Sequence, residues 1–260
     1  MTRPTDPPPR FPKDHPSPVP EHSLDTLLSE GRSALYRQVL TRRTNRIAVV
    51  VEDIYDSHNA TAVSRTCDAF GVQRLHVVTQ ENAFKVLKRV SQGAHRHIDI
   101  HRHDTIEDAY AELRRDGFRI LVSDLGVDER LDPRQLAATA AKEKVALVFG
   151  RESTGISEAG STGADGFFFL PMLGFTRSLN VSVAVALTLY AVREEAILRD
   201  LPGDLPAEEQ ARLYEQWVHT HNQRAAEEIE TRAAEGRNGR KSDKAASVEV
   251  YDADERACDS

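Results

Sequence analysis

Five short apolar runs, Ile47–Val51, Leu75–Val78, Arg119–Val122, Val145–Phe149 and Phe167–Leu170, recur between stretches of helical periodicity, and this alternation constrains the fold. The helical patterns lie near Thr61–Phe70, Ala83–Val90, Thr105–Asp116 and Pro133–Ala141. A short unbroken run of aliphatic residues suits a strand covered on both faces. Strands alternating with helices predict an α/β fold, a mainly parallel sheet with helices on both faces. Longer helical patterns flank this centre: His22–Leu40 on one side, and on the other the apolar Asn180–Leu198 and the charged Pro206–Ala234.

At 260 residues the chain suits one domain of about 150 residues with terminal extensions. The hydrophobic share of 40% is low for a wholly compact protein and fits a globular centre flanked by polar tails. The expected organisation is a proline-rich disordered tail over 1–21, a basic helical extension over 22–46, the α/β domain over 47–198, a helical extension over 199–236 and a charged disordered tail over 237–260. No stretch of about 20 apolar residues and no basic-then-apolar N-terminal segment is present, so the chain reads as soluble, unexported and cytoplasmic. Cys67 and Cys258 are the only cysteines, too few for a disulfide framework or a four-cysteine zinc site. Cys67, inside a helical pattern, reads as a small buried residue.

The net charge of −7 disfavours a nucleic-acid partner only until its distribution is considered. Residues 201–260 hold 14 acidic and 8 basic side chains, whereas Gly31–Arg46 holds five arginines and no acid. Lys85–His103 is a second basic stretch, with four histidines against the single acid Asp99. Clustered cations are what phosphate binding requires, although solvated helix faces produce the same pattern.

Three strand-to-loop transitions carry the chemistry. In the first, Ile47–Val51 leads through a polar turn into a helix, with Asn59 placed to cap it and Arg65 about two turns in. In the second, Ala146–Phe149 runs into the glycine-flanked loop Gly150-Arg151-Glu152-Ser153-Thr154-Gly155-Ile156-Ser157, suited to close approach of a nucleotide. In the third, Leu170-Pro171-Met172-Leu173-Gly174 precedes Ser178-Leu179-Asn180 and a long apolar helix, where Ser178 or Asn180 can serve as the cap. Such loops leave backbone groups free for a ligand. Neither GxGxxG nor a P-loop pattern is present, which argues against a dinucleotide or nucleoside-triphosphate enzyme and the common Rossmann methyltransferase.

The order Asn…Arg, Gly-Arg-Glu-Ser-Thr-Gly, then Pro-Met-Leu-Gly…Ser-Leu-Asn resembles the three motifs of the SpoU family of RNA 2′-O-methyltransferases, within the SPOUT superfamily, over about residues 43–198. The third motif looks closest to the branch that methylates guanosine 18 of tRNA. The resemblance implies a deep C-terminal trefoil knot, a homodimer, S-adenosyl-L-methionine as cofactor, tRNA as partner and no metal. It implies cofactor binding by Ser123, Gly150, Glu152, Ile156, Leu170, Leu179 and Asn180. Ser123 stands where the tRNA branch would have Thr, and the hydroxyl is kept.

By the same resemblance Arg65 is the catalytic arginine, with Asn59 supporting it and Ser178 positioning the target. Arg65 would activate the ribose 2′-hydroxyl with help from a substrate phosphate, or orient that hydroxyl and stabilise its developing charge. Guanidinium does not lose its proton in proteins, which weighs on the first role. His58 beside Asn59 invites a general-base reading, and pairing of Arg65 with Asp68 at i+3 is the structural alternative. Arg42, Arg43, Arg46 and Arg177 are candidates for holding RNA phosphate. A ribosomal RNA substrate or a catalytically inactive RNA-binding protein are the competing functions.

Overall fold

The computed structural model describes residues 13–21, 23–54, 56–79, 94–151 and 154–223. The expected helix over 83–90, Glu152 and the tails over 1–12 and 224–260 lie outside them. The chain divides into two compact units, residues 1–214 and 215–260. In the second, 215–223 are helical.

Among its described residues the first unit has six strands: β1 (Thr44–Glu52), β2 (Val72–Val78), β3 (Asp99–His103), β4 (Arg119–Ser123), β5 (Val145–Phe149) and β6 (Gly166–Phe168). They form one sheet in the order β3-β2-β1-β5-β4-β6, and every pairing is parallel. Among the described residues its helices are α1 (Glu30–Leu40), α2 (Ser57–Ala69), α3 (Ile106–Arg115), α4 (Pro133–Lys142), the short α5 (Glu158–Thr162) and α6 (Val181–Leu198). A further helix begins at 207.

The two-residue period of β1 shows why the sheet is covered on both sides. Ile47, Val49 and Val51 enter one apolar cluster, with residues of α2, α4 and α6, including Val63, Leu136 and Val185. Ala48 and Val50 enter the opposite cluster, with Ile106, Tyr110 and Leu113 of α3. Each fully buried aliphatic side chain contributes about 1.5–3 kcal/mol relative to exposure, so a central strand apolar on both faces is favoured only in this layered arrangement.

Local signals set the helix starts. Asp132 and Gln135 form a reciprocal capping box around α4, with Pro133 in its first turn. Thr105 accepts from the Asp108 amide to start α3. At the start of α2 the cap is Asp56, accepting from the His58 amide at 2.8 Å, which corrects the assignment of that role to Asn59. Asn59 lies inside the first turn. Just past its end Gly71 has a φ of 71°, and a Cβ there would fall 2.8 Å from the Arg42 carbonyl oxygen, so the position excludes a side chain.

Strand β3 was not expected. Its sequence, Asp-Ile-His-Arg-His, has one aliphatic residue, because an edge strand with part-exposed faces needs no apolar run. Residues 13–21 pack within the first unit: Val19 is buried, and the His15 ring is 3.0 Å from the Asp200 carbonyl oxygen.

Candidate functional site

The strand order reverses between β1 and β5, since β2 and β3 extend one way from β1 while β4 and β6 lie beyond β5. Parallel α/β sheets bind ligands in the crevice outside the carboxyl ends of strands at such a point. A pocket of about 380 Å³ opens at the carboxyl ends of β5, β4 and β6, on the β5 side of that reversal, lined by the last residues of β4 and β5 and by the loops that follow β4, β5 and β6. This size suits a small organic ligand.

Ser123, Gly150, Ile156, Leu170, Leu179 and Ser178, each named from the sequence, share this lining. Their convergence has local causes. After β5, the Arg151 amide donates to the Gly155 carbonyl at 2.9 Å and the Gly155 amide to the Arg151 carbonyl at 3.0 Å, closing the second loop on itself. A Cβ on Gly150 would fall 2.3 Å from both the Gly155 carbonyl carbon and the Ile156 nitrogen. Only glycine lets the strand end and the returning loop touch, and that touching backbone forms one wall of the pocket.

Buried side chains hold the loop from behind. Glu52, at the end of β1, accepts from the Ser157 amide at 2.9 Å, and Ser157 in turn caps α5 at Gly160. Tyr110 donates to the Gly160 carbonyl at 2.9 Å. Burial raises the Tyr110 pKa, so its hydroxyl stays protonated and remains a donor. Asp53, buried with φ 54°, lies 2.8 Å from the Arg151 guanidinium in an ion pair. Such a backbone angle in a non-glycine residue persists where its surroundings fix it.

The third loop ends at Asn180, whose Oδ1 accepts from the Ser182 amide at 3.0 Å and so caps α6. Its Nδ2 donates to Asn59 Oδ1 at 3.1 Å. One hydrogen bond therefore ties the first turn of α2 to the N-cap of α6, bringing together two residues 121 positions apart. Asn180 stands beside the pocket and is not part of its lining.

Arg65 is exposed on α2 and His58 on the first turn of the same helix, and neither lines the pocket. Asp68 pairs with Arg43. Cys67 is fully buried, and burial pushes its thiol up to about 12, which makes it an inert core residue.

The structure corrects two of the phosphate-binding candidates. Arg43 is buried and ion-paired with Asp68, and Arg42 is bound to Asp200 at 3.0 Å. The Arg42 hydrogen bond holds the Asp200 carboxyl below its usual range. Both arginines act within the fold, where internal carboxylates take the place of phosphate. Arg46 is half-buried, with Nη2 donating to the Ala141 carbonyl at 3.3 Å, while Arg177 is exposed on the third loop.

Sequence reasoning missed part of the pocket. Phe149, Met172, Val181 and Ala184 supply its apolar surface, while Asp124 and Arg151 add charge. Asp124 and Arg151 each lie one position from a named residue, so the strand-end rule that found Ser123 and Gly150 would also have reached them. Glu52 was legible only as an acid closing an apolar strand.

The fold and site together define a class: a parallel α/β protein whose small-molecule pocket is built from loops at the carboxyl ends of its strands, without a glycine-rich dinucleotide fingerprint. The chain belongs to the SpoU rRNA Methylase family, whose model matches residues 46–190. It is 34% identical over 169 residues to the tRNA (guanosine(18)-2′-O)-methyltransferase of Thermus thermophilus, covering 65% of this chain and 85% of the relative. The enzyme of the same name from Escherichia coli K12 is also 34% identical, over 191 residues, 72% of this chain and 81% of the relative. Among solved structures, the Aquifex aeolicus TrmH/SpoU tRNA modifying enzyme superposes with a TM-score of 0.66 at 28% identity, covering 75% of this chain and 98% of that one.

Proposed function

We propose that this chain transfers the methyl group of S-adenosyl-L-methionine to a ribose 2′-hydroxyl of tRNA, at guanosine 18. The observation that carries the reading is the similarity over most of the length of relatives named for that reaction. The pocket fits such a cofactor. Its size, its apolar wall and the contact that Gly150 alone permits match an adenosine-bearing molecule held by backbone groups. The cofactor supplies an electrophilic methyl on a sulfonium.

In this reading Ser123, Gly150, Ile156, Leu170 and Leu179 hold the cofactor, and Asn180 fixes the loop that carries Leu179. Glu152 belongs to the same proposed set. Arg65 orients the 2′-hydroxyl and stabilises the charge that develops on its oxygen, because a guanidinium is a permanent donor and a poor base. Asn59 keeps α2 in register with α6 through its bond to Asn180. Arg177 and Ser178, both exposed, would meet the RNA beside the reacting ribose. Arg46 is the remaining candidate of the basic extension.

The deep trefoil knot and the homodimer are part of this proposal. Val183, Leu187 and Tyr190 of α6 are exposed, as are Leu173 and Phe175 of the third loop, which supports pairing with a second copy. Light scattering would test that state.

The family model's description favours a second reading, methylation of ribosomal RNA. The test is methyl transfer from labelled S-adenosylmethionine to unmodified tRNA and ribosomal RNA transcripts, with the modified ribose mapped by mass spectrometry. Label at guanosine 18 supports the proposal, label in ribosomal RNA alone replaces the substrate, and no label with firm tRNA binding leaves an inactive RNA-binding protein. Arg65→Ala is expected to lower methyl transfer at least 100-fold while cofactor binding stays within twofold. Full activity in a folded, cofactor-binding Arg65→Ala protein would overturn the role given to Arg65.

A further inference from the structure

Away from the pocket, the outer edge of the sheet carries a polar cluster where aliphatic residues would pack more cheaply. His76 of β2 shares a sheet face with Val78, which lies in the apolar cluster under α3. It is fully buried, and its one hydrogen bond runs from Nδ1 to His103 Nε2 at 3.0 Å; its Nε2 has no partner. His103 closes β3, and its Nε2 lies 3.9 Å from Glu112 Oε2 on α3. Register places His101 opposite His76, with rings stacked at 4.5 Å and 11°. His101 Nδ1 is 2.8 Å from the other carboxylate oxygen of Glu112.

A buried imidazole with a single polar contact is costly unless that contact is strong. Two imidazole nitrogens and a carboxylate oxygen are a common donor set for Zn²⁺. The three ligand atoms lie within 4.8 Å of one another. Zinc bonds of about 2.0–2.1 Å put neighbouring tetrahedral ligand atoms about 3.3 Å apart, between the 3.0 and 3.9 Å seen here.

We propose that His76, His103 and Glu112 bind a divalent metal ion, Zn²⁺ by their donor set, with His101 as a positioning residue that orients the Glu112 carboxylate. Water completes the coordination. Hydrogen bonding from a second histidine to a ligating carboxylate is a recurrent outer-sphere arrangement. The ion would join the edge strand β3, its neighbour β2 and the covering helix α3. Strand β1 separates this group from β5 and the pocket, so the role is structural and independent of methyl transfer.

The test uses the untagged full-length chain, stripped with chelator and titrated with Co²⁺, then with Zn²⁺. The expected result is one equivalent of Co²⁺ giving the intense visible bands of a four-coordinate site, displaced by one equivalent of Zn²⁺. His103→Asn and Glu112→Gln should each weaken binding at least tenfold, and His101→Phe, which keeps the ring stack, about tenfold. Circular dichroism checks that the variants are folded; the partly exposed Glu112 makes Glu112→Gln the mildest of them. Absence of four-coordinate bands, or bands unchanged in both ligand variants, would overturn the proposal.

Discussion

Replacing Gly150 with Ala tests whether the pocket depends on backbone contact at the end of β5. The added Cβ would stand 2.3 Å from the Gly155 carbonyl carbon and the Ile156 nitrogen, whereas ordinary contact begins at 3.4 Å. The strand end and the loop must therefore separate by about 1.1 Å, and since the obstacles are backbone atoms, no side-chain rotation relieves them. Overpacking of this kind costs about 1–3 kcal/mol, and every 1.4 kcal/mol is a factor of ten. S-adenosylhomocysteine binding, measured by isothermal titration calorimetry, should weaken about ten- to one hundredfold, with the fold retained by the unaltered strands. Gly174→Ala is the matched control: its Cβ meets no heavy atom within 4 Å, so affinity should not change. A folded Gly150→Ala protein that binds within twofold of the native one would refute the reasoning.

Leu147, fully buried in β5 between β1 and β4, should lose about 2–5 kcal/mol of stability when cut to Ala, read as a lower urea midpoint at constant slope. Asn180→Ala removes a helix cap and the bond to Asn59, and should cost about 1 kcal/mol and lower Tm by a few degrees. Because Cys67 is held at about 12 in the fold against 9.0 for a free thiol, it contributes stability below pH 9 that is lost as pH rises towards 12. Cys67→Ala should flatten that part of the pH–stability curve, and native Cys67 should resist alkylation until denaturant is added, as peptide mapping would show.

The central strands were legible because β1, β4 and β5 are buried on both faces and so read as continuous aliphatic runs. The edge strand β3 was not, because partial exposure relaxes the demand for apolar residues. Helix caps were read in type but not always in position: a polar residue can cap only if its own φ and ψ leave the helix, and at α2 this is Asp56 rather than Asn59. The arginines of the N-terminal extension show the same limit with opposite consequence. A run of cations with no nearby acid in the sequence met its carboxylates across the fold, Asp200 for Arg42 and Asp68 for Arg43.

What the sequence determined by itself is the class of fold and the chemical type of the three loops, since side-chain period, glycine and capping residues act over a few positions. Only tertiary structure decided which residues meet. The pocket assembled from the ends of β4, β5 and β6, the bond between Asn59 and Asn180, and the grouping of His76, His103 and Glu112 all join residues from separate elements. Parallel strands need long crossovers, so neighbours in such a sheet are remote in sequence, and their side-chain chemistry is combined only when the sheet closes.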